Sequence, residues 1–576
     1  MPWLIYIYNY TSNTRRMKIT NSFLWGVATS SYQTEGGITN NDWDFFTRSE
    51  PIRKRISSLT KPSIFYKGRS QVYLQPAGEA VRFWDPKFYD SDFEIARRIG
   101  MNSFRISLEW SRIEPEKGEW NQGAIDHYKE MIRSMTEKKL IPVVTLNHFT
   151  LPLWVLTPPS RFKKIIGQHL LPSPLRDAPL GDPPPSDPYW NSLGGWENYR
   201  TIEEFIKYVA RVVSELKDQV DYWITLNEPV ASIIGVGYIA GLSPPGFFLG
   251  GKRAKIVLHN LIEAHVQAYN KITALDDIDA DGDGFPNRVG FAHLMMAVSP
   301  AKTTKILGVT IKDNTEAAKN FDYFINDYFI NAVTNGEEDL NYLNTLQRHN
   351  KDSNDFIVHD NWKDKVDFIG LDYYRRVYIY YSPIVAFSPA RFVGGALVND
   401  LHIQDKKNRY HPNHILNDLG WEIYPEGLYQ LIMHVKNQWN KPVFITENGV
   451  ADKSDRYRAP FIVAHLQQIN RAIHEGVDAI GYLHWSLMDN YEWQEGYRPE
   501  AKFGLFRIDS SGSYGKQQLK QHPDLTRHIT KGAEAFKIIV EESLNQSNGV
   551  VIANSGILKA KEKFGIVMGD GSNITY

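Results

Sequence analysis

The sequence predicts an α/β chain folded as one (β/α)8 barrel with long loop insertions at its C-terminal face. Three observations carry this: eight short β-rich apolar runs spread over 576 residues, helical patterns between them, and polar residues at the C-terminal ends of the runs. Near-continuous apolar strands alternating with helices belong to a parallel sheet covered on both faces. Eight such units close into a barrel, which routinely exceeds the usual domain length. The rival is a doubly wound open sheet. It usually carries a Gly-rich phosphate loop after its first strand, and no G-x-G-x-x-G stands there.

The first run is 23–28. A helical pattern at 90–99 precedes the second run, 103–108, and Gly100 stands where a C-cap glycine belongs. The third run, 141–146, follows a helical pattern from 121 to 139. The fourth, 222–226, follows 201–216, and the fifth, 289–294, follows a long pattern at 254–275. The last three runs are 368–371, 443–446 and 479–483, separated by helical patterns at 426–439 and 460–474. Three insertions, 51–80, 157–195 and 375–420, leave the strands on the mouth side and are long enough to be functional loops. The second carries nine prolines and cannot be helical throughout. The expected domain spans 17–545, with an extension at 1–16 and a Gly/Ser/Asn-rich tail at 546–576. Met17 is the expected natural start.

Composition narrows the function. Lys+Arg 65 against Asp+Glu 66 leaves a net charge of −1, so there is no bulk positive field to bind nucleic acid. No cysteine is present, which excludes disulfides, thiol nucleophiles and Cys-ligated metals. With no basic-then-apolar secretory leader and no run of about 18 apolar residues, a cytoplasmic protein without a membrane span is expected. Aromatic residues make up 13% of the chain, which suits either a large aromatic core or sugar rings stacked on indoles and phenols. Nothing in the sequence sets the oligomeric state.

Active sites of this fold lie at the C-terminal ends of the strands. Arg105, His148, Asn227 with Glu228, Asp372 with Tyr373 and Tyr374, Glu447 with Asn448, and Trp485 stand at those ends. Two glutamates converging on one mouth are the groups glycoside hydrolysis needs. One must be protonated to assist the leaving oxygen, and the other ionised to attack the anomeric carbon or activate water. Arg105 beside one of them would hold it ionised, and the other, facing that anion, would have its pKa raised.

Six ordered motifs, FLWGVATSSYQTEGG (23–37), FRISLEWSRIEPEKGEWN (104–121), TLNHFTLPLWV (145–155), TLNEPV (225–230), ITENGV (445–450) and GYLHWSLMDNYEWQEGY (481–497), give the chain a resemblance to glycoside hydrolase family 1, the retaining β-glycosidases, over residues 19–541. The NDW turn (41–43) and the GYLHWSL wording look more like archaeal members. The resemblance implies exo hydrolysis of β-glucosides, β-galactosides or β-fucosides by double displacement, without a cofactor. It implies Glu228 as acid/base and Glu447 as nucleophile, with Arg105 and Tyr374 positioning Glu447. Asn227 is implied to meet the sugar 2-hydroxyl, Gln33, His148, Glu492 and Trp493 the other hydroxyls, Trp485 to lie beneath the ring, and Phe503 to flank C6. Members acting on 6-phosphorylated sugars tend to carry Ser where Glu492 stands, so an unphosphorylated glycoside or oligosaccharide is the expected substrate. The chain departs from the family in Asp372 where Asn is usual, in Phe149 where Trp is commoner, and in the longer proline-rich insertion. Transglycosylation on the same site, and a non-catalytic carbohydrate-binding relative, are the alternative functions.

A further motif, Asp277, Asp279, Asp281 and Asp283 followed by Gly284, resembles a calcium loop with alternating oxygen ligands. The bidentate glutamate that closes such loops is missing: Arg288 or Gly290 stands there, depending on register. A structural calcium ion and a flexible acidic loop are both open on this pattern.

Overall fold

The computed structural model describes residues 23–59, 73–156, 192–247, 250–301, 305–306, 309–310, 314–339, 356–381, 396–398, 415–508, 525–546, 551–568 and 574–575. The extension 1–16 and nearly all of the proline-rich insertion lie outside them, as do parts of the other two insertions.

Eight parallel strands form a closed barrel: β1 (Leu24–Ala28), β2 (Ser103–Ser107), β3 (Ile141–Asn147), β4 (Tyr222–Asn227), β5 (Arg288–Leu294), β6 (Phe368–Tyr373), β7 (Val443–Asn448) and β8 (Ala479–Trp485). Each pairs with its neighbour in sequence, and β8 closes onto β1 with Leu24 opposite Gly481. All eight expected runs are strands, within two residues at their ends. The helices that follow them are α1 (Pro86–Arg98), α2 (Gln122–Glu137), α3 (Tyr199–Leu216), α4 (Gly251–Leu275), α5 (Tyr328–Asn335), α6 (Pro425–Trp439), α7 (Arg458–His474) and α8 (Lys531–Leu544).

Their ends obey local chemistry. Asp85 caps α1 through the Lys87 N–H with Pro86 in the first turn, and Gly100 follows the helix at φ +91°. Asn121, Asn198 and Thr530 cap α2, α3 and α8 in the same way. Among the described residues, no helix is long and apolar enough to cross a membrane.

Strand alternation sorts the side chains into two cores. Phe104, Ile106, Val144, Trp223, Ile369 and Ile445 face the helices, whereas Leu24, Val143, Tyr222, Phe368 and Phe444 fill the barrel. Tyr222, Phe368 and Phe444 form an aromatic plug, with ring centroids 5.8–6.5 Å apart. The plug closes the barrel below the mouth. Phe444→Ala is expected to cost about 3–5 kcal/mol, because the closed barrel cannot collapse into the hole. A lowered denaturant midpoint with unchanged slope checks this.

The stretch expected as a tail carries a helix, α9 (Asn554–Phe564). Its Gly/Ser/Asn content masks an apolar face: Ile552, Ile557 and Ala560 are buried in the main core, and Gly556 lets the helix approach α8 at Ile539. Lys559 and Lys563 pair with Glu542 and Glu534 of α8.

Candidate active site

Three local irregularities aim the polar residues into the mouth. On β4, plain alternation from Tyr222 and Ile224 would turn Asn227 toward the helices, but a register shift against β5 between Ile224 and Asn227 turns it inward. On β7, Thr446 is an extra residue against β6: Leu371 faces Ile445, and Asp372 faces Glu447. That bulge turns Glu447 from the helix side into the barrel. The third irregularity is Glu228, held at φ 43°, ψ 54°, with its N–H bonded to the Ala292 carbonyl at 2.8 Å. A left-handed non-glycine residue costs energy that the surroundings must supply, a common feature of functional sites. A single π-helical segment, Pro229–Ile239, follows it.

Arg105 reaches inward from β2 and is fully buried. Its guanidinium donates to Thr145 Oγ1 (2.9 Å), the Thr446 carbonyl (3.2 Å), Glu447 Oε1 (2.8 Å) and Asn227 Oδ1 (2.6 Å). Tyr374 donates its hydroxyl to the other oxygen of Glu447 at 2.7 Å. Among the described residues, Glu228 receives only the Ser232 hydroxyl. One carboxylate oxygen each from Glu228, Asp372 and Glu447 lies within 4.8 Å of the others. The guanidinium already occupies the Glu447 side of this trio, which disfavours a metal cation there.

These surroundings separate the two glutamates. Burial and then the facing charge of Glu447 push Glu228 up to about 8. Burial pushes Glu447 up too, but Arg105 and Tyr374 pull it back. Both are raised, and the guanidinium and phenol favour the negative charge on Glu447 over Glu228.

The other expected residues surround this pair. Gln33, on the turn after β1, donates to the Tyr491 carbonyl at 2.6 Å and to Glu492 at 3.3 Å. Glu492 also accepts from the Trp485 indole at 3.1 Å, and burial pushes its pKa well above normal. His148 lies 3.3 Å from Asn227 and stacks between Trp485 and Trp493. Burial, then Arg105, keeps its imidazole neutral. Phe503 meets Tyr374 edge-on at 6.2 Å. Asn227, Glu228, Glu447 and the expected ring residues line one cavity of about 580 Å³, except Gln33, which acts behind Glu492. A second, largely apolar cavity, with Trp43, Phe46 and Ile233 in its wall, adjoins it and shares Phe149, Ser232, Trp493 and Gln494.

Sequence reasoning missed several members. Trp421 lines the first cavity, 6.0 Å from both Tyr374 and Phe503, and arrives from the end of the third insertion, where no motif marked it. Ser232 stands four residues after Glu228, a spacing that one helical turn turns into a contact. Thr145 stands in the TLNHFTLPLWV motif, but its hold on Arg105 is a side-chain contact across β2 and β3 that the motif does not announce.

Two of the four residues expected as calcium ligands, Asp279 and Asp281, lie together in the acidic loop, and the other two turn to cations. Asp277 pairs with Lys217 and Asp283 with Arg288, so the four expected ligands do not converge. Asp279 accepts the N–H groups of Gly282, Asp283 and Gly284. Asp221, outside the motif, accepts those of Ala280 and Asp281 and brings its carboxylate near Asp279 and Asp281. Because cations pair with Asp277 and Asp283, and backbone N–H groups donate to Asp221, Asp279 and Asp281, chelation is expected to leave the melting temperature unchanged. A scanning melt with and without chelator checks it.

Comparison with known proteins places this geometry. A family model described as "Glycosyl hydrolase family 1" matches residues 15–157 and 189–540. A Pyrococcus woesei protein named beta-galactosidase is 30% identical over 536 residues, covering 84% of this chain and 92% of its own. A Thermotoga maritima protein named beta-glucosidase A is 28% identical, covering 86% and 94%. The solved beta-glycosidase from Pyrococcus horikoshii superposes with a TM-score of 0.65 at 25% identity, covering 96% of this chain and 98% of its own.

Proposed function

The chain belongs to glycosyl hydrolase family 1, and from that membership we infer a retaining exo-β-glycosidase that uses Glu447 as nucleophile and Glu228 as acid and then base. The observation that carries the reading is the spacing of the two carboxyls. One oxygen of Glu228 and one of Glu447 lie within 4.8 Å of each other, which fits the close-set carboxyls of retaining enzymes, roughly 5–5.5 Å apart, better than the roughly 6.5–9.5 Å setting that admits a water in inverting ones.

In the first step Glu447 attacks the anomeric carbon, and Glu228 gives its proton to the departing glycosidic oxygen. In the second, Glu228, now ionised, takes a proton from water as the water displaces Glu447. Asn227 is held by Arg105 and His148 where it can meet the sugar 2-hydroxyl. Trp485 offers a face to the ring, while His148 and Glu492, the latter held from behind by Gln33, supply donors and acceptors for its hydroxyls.

The substrate in this reading is an unphosphorylated β-glucoside, β-galactoside or β-fucoside. Among the described residues lining the cavity there is no lysine or arginine to meet a phosphate, and Glu492 faces the sugar. The chemistry calls for no cofactor, and a structural calcium ion forms no part of the reading. A cytoplasmic location rests on the cysteine-free composition. The domain is read from 17, and its expected limit at 545 moves outward to take in α9, whose Ile557 and Ala560 are buried in the main core against α8.

The test is a panel of para-nitrophenyl β-glucoside, β-galactoside, β-fucoside and β-mannoside, with Glu228→Gln as control. Turnover by the wild-type protein that collapses in the control supports the reading, and the panel ranks the sugars. Absence of turnover on all four, with tight sugar binding, would turn it toward a binding protein.

A further inference from the structure

The catalytic centre holds three carboxyls and, among the described residues facing them, one guanidinium. Asp372 is the third. It is fully buried on β6, directly opposite Glu447 in the β6–β7 register. Thr446 donates to its Oδ1 at 2.7 Å, and its Oδ2 has no partner among the described residues. Arg105 Nη1 lies 3.9 Å from Asp372 Oδ1 and 2.8 Å from Glu447 Oε1. The same nitrogen therefore stands between two possible partners and is bonded to one of them.

Three buried anions around one cation would leave two charges uncompensated, a cost of several kcal/mol each. The groups facing Asp372 are Arg105 from β2, Glu228 at the end of β4, Glu447 from β7 and Tyr374 after its own strand; β5 places Leu294 beside it, and His293 of that strand is turned to the Ile325 carbonyl. Glu447 makes the two charge-assisted contacts, so the single negative charge belongs there.

Resting on the glycosidase reading, we propose that Asp372 is a positioning residue that keeps a proton while the enzyme works, so that Arg105 stays committed to Glu447, and that loss of this proton at alkaline pH draws Arg105 off the nucleophile. The step is one proton lost from Asp372 to solvent, with Nη1 exchanging Glu447 Oε1 for Asp372 Oδ1. Burial and the charge of Glu447 both oppose that loss. The enzyme thus has an alkaline limit separate from the ionisation of its acid. As a neutral acid Asp372 leaves the guanidinium alone; as an anion it competes for it.

The test removes the acid first. In Glu228→Gln, a dinitrophenyl β-glycoside, whose leaving group departs without protonation, reports only attack by Glu447. The kcat/KM of this variant is expected to fall at alkaline pH, and the fall to vanish in Glu228→Gln/Asp372→Asn. One pH unit above the midpoint the double variant, scaled to its own neutral plateau, should exceed the single variant by about tenfold. A second pair keeps the test sound where the amide destabilises the fold. Glu228→Gln/Thr446→Val removes the hydroxyl that stabilises the Asp372 anion and should move the limb to higher pH. A limb absent from Glu228→Gln, or unchanged in both double variants, overturns the proposal. Failure of the glycosidase reading looks different: no β-glycoside is turned over by the wild-type protein at any pH.

Discussion

Glu447→Ala is expected to abolish turnover of every β-glycoside, lowering kcat by about five orders of magnitude, or ~7 kcal/mol of barrier. Residual binding is expected to survive, because Gln33, His148, Trp485 and Glu492 do not depend on Glu447 for their positions. The cavity left by the side chain sits under Arg105 and Tyr374, two donors that have lost their anion. Azide should enter it and restore turnover with an activated aryl glycoside. The stereochemistry of the product makes the test specific. Azide replacing Glu447 attacks once, so the glycosyl azide has inverted, α configuration. Normal activity in this variant, or a rescued product of β configuration, would contradict the assignment of Glu447.

Glu228→Gln should divide substrates by leaving group. General acid assistance is worth about 10²–10⁴-fold. An alkyl or sugar leaving group should lose all of it in the first step, and a dinitrophenyl group little. With the activated substrate the second step becomes limiting, since glutamine cannot take a proton from water. The glycosyl-enzyme then accumulates, and a burst of dinitrophenol equal to the enzyme concentration should precede slow turnover. Azide should accelerate that second step and give a β-glycosyl azide, the opposite configuration to the Glu447 variant. The wild-type pH profile bears on the same group. Glu228 works protonated, and burial with the facing Glu447 holds its pKa at about 8. Activity on unactivated substrates is present below that value and lost as pH rises through it. An alkaline midpoint near 5 would contradict the raised pKa of Glu228, and a limb unchanged in Glu228→Gln would contradict its role as the acid.

Both predictions depend on the unequal environments of two residues that are chemically identical. Among the described residues, Glu447 has a guanidinium and a phenol, Glu228 a single hydroxyl. Exchanging those surroundings would exchange their roles, which is why Arg105 matters as much as either glutamate. The proposed role of Asp372 follows from the same guanidinium, which lies 3.9 Å from its carboxyl.

Much was legible in the sequence. The apolar strands, their helices and the polar residues at the strand ends follow from local composition and period, because a strand buried on both faces has almost no other way to be written. The motifs around Glu228 and Glu447 named the two carboxyls, and all the expected sugar-binding residues sit around one cavity or directly behind it. Residues 546–576 misled because composition averages over a segment. Their glycines and serines outnumber the four or five apolar side chains that fasten α9 to α8.

Tertiary structure alone decided the direction of side chains and the sharing of partners. Alternation from Phe444 would have sent Glu447 toward the helices, and only the pairing of β7 with β6 shows the extra residue that turns it inward. Trp421 joins the site from an insertion with no signature. Asp277 and Asp283 leave their own motif for Lys217 and Arg288, cations contributed from outside the motif. The reason is the same in each case. A sequence records what each residue can do, whereas register and closure bring residues hundreds of positions apart into contact and fix which carboxylate receives a limited number of donors.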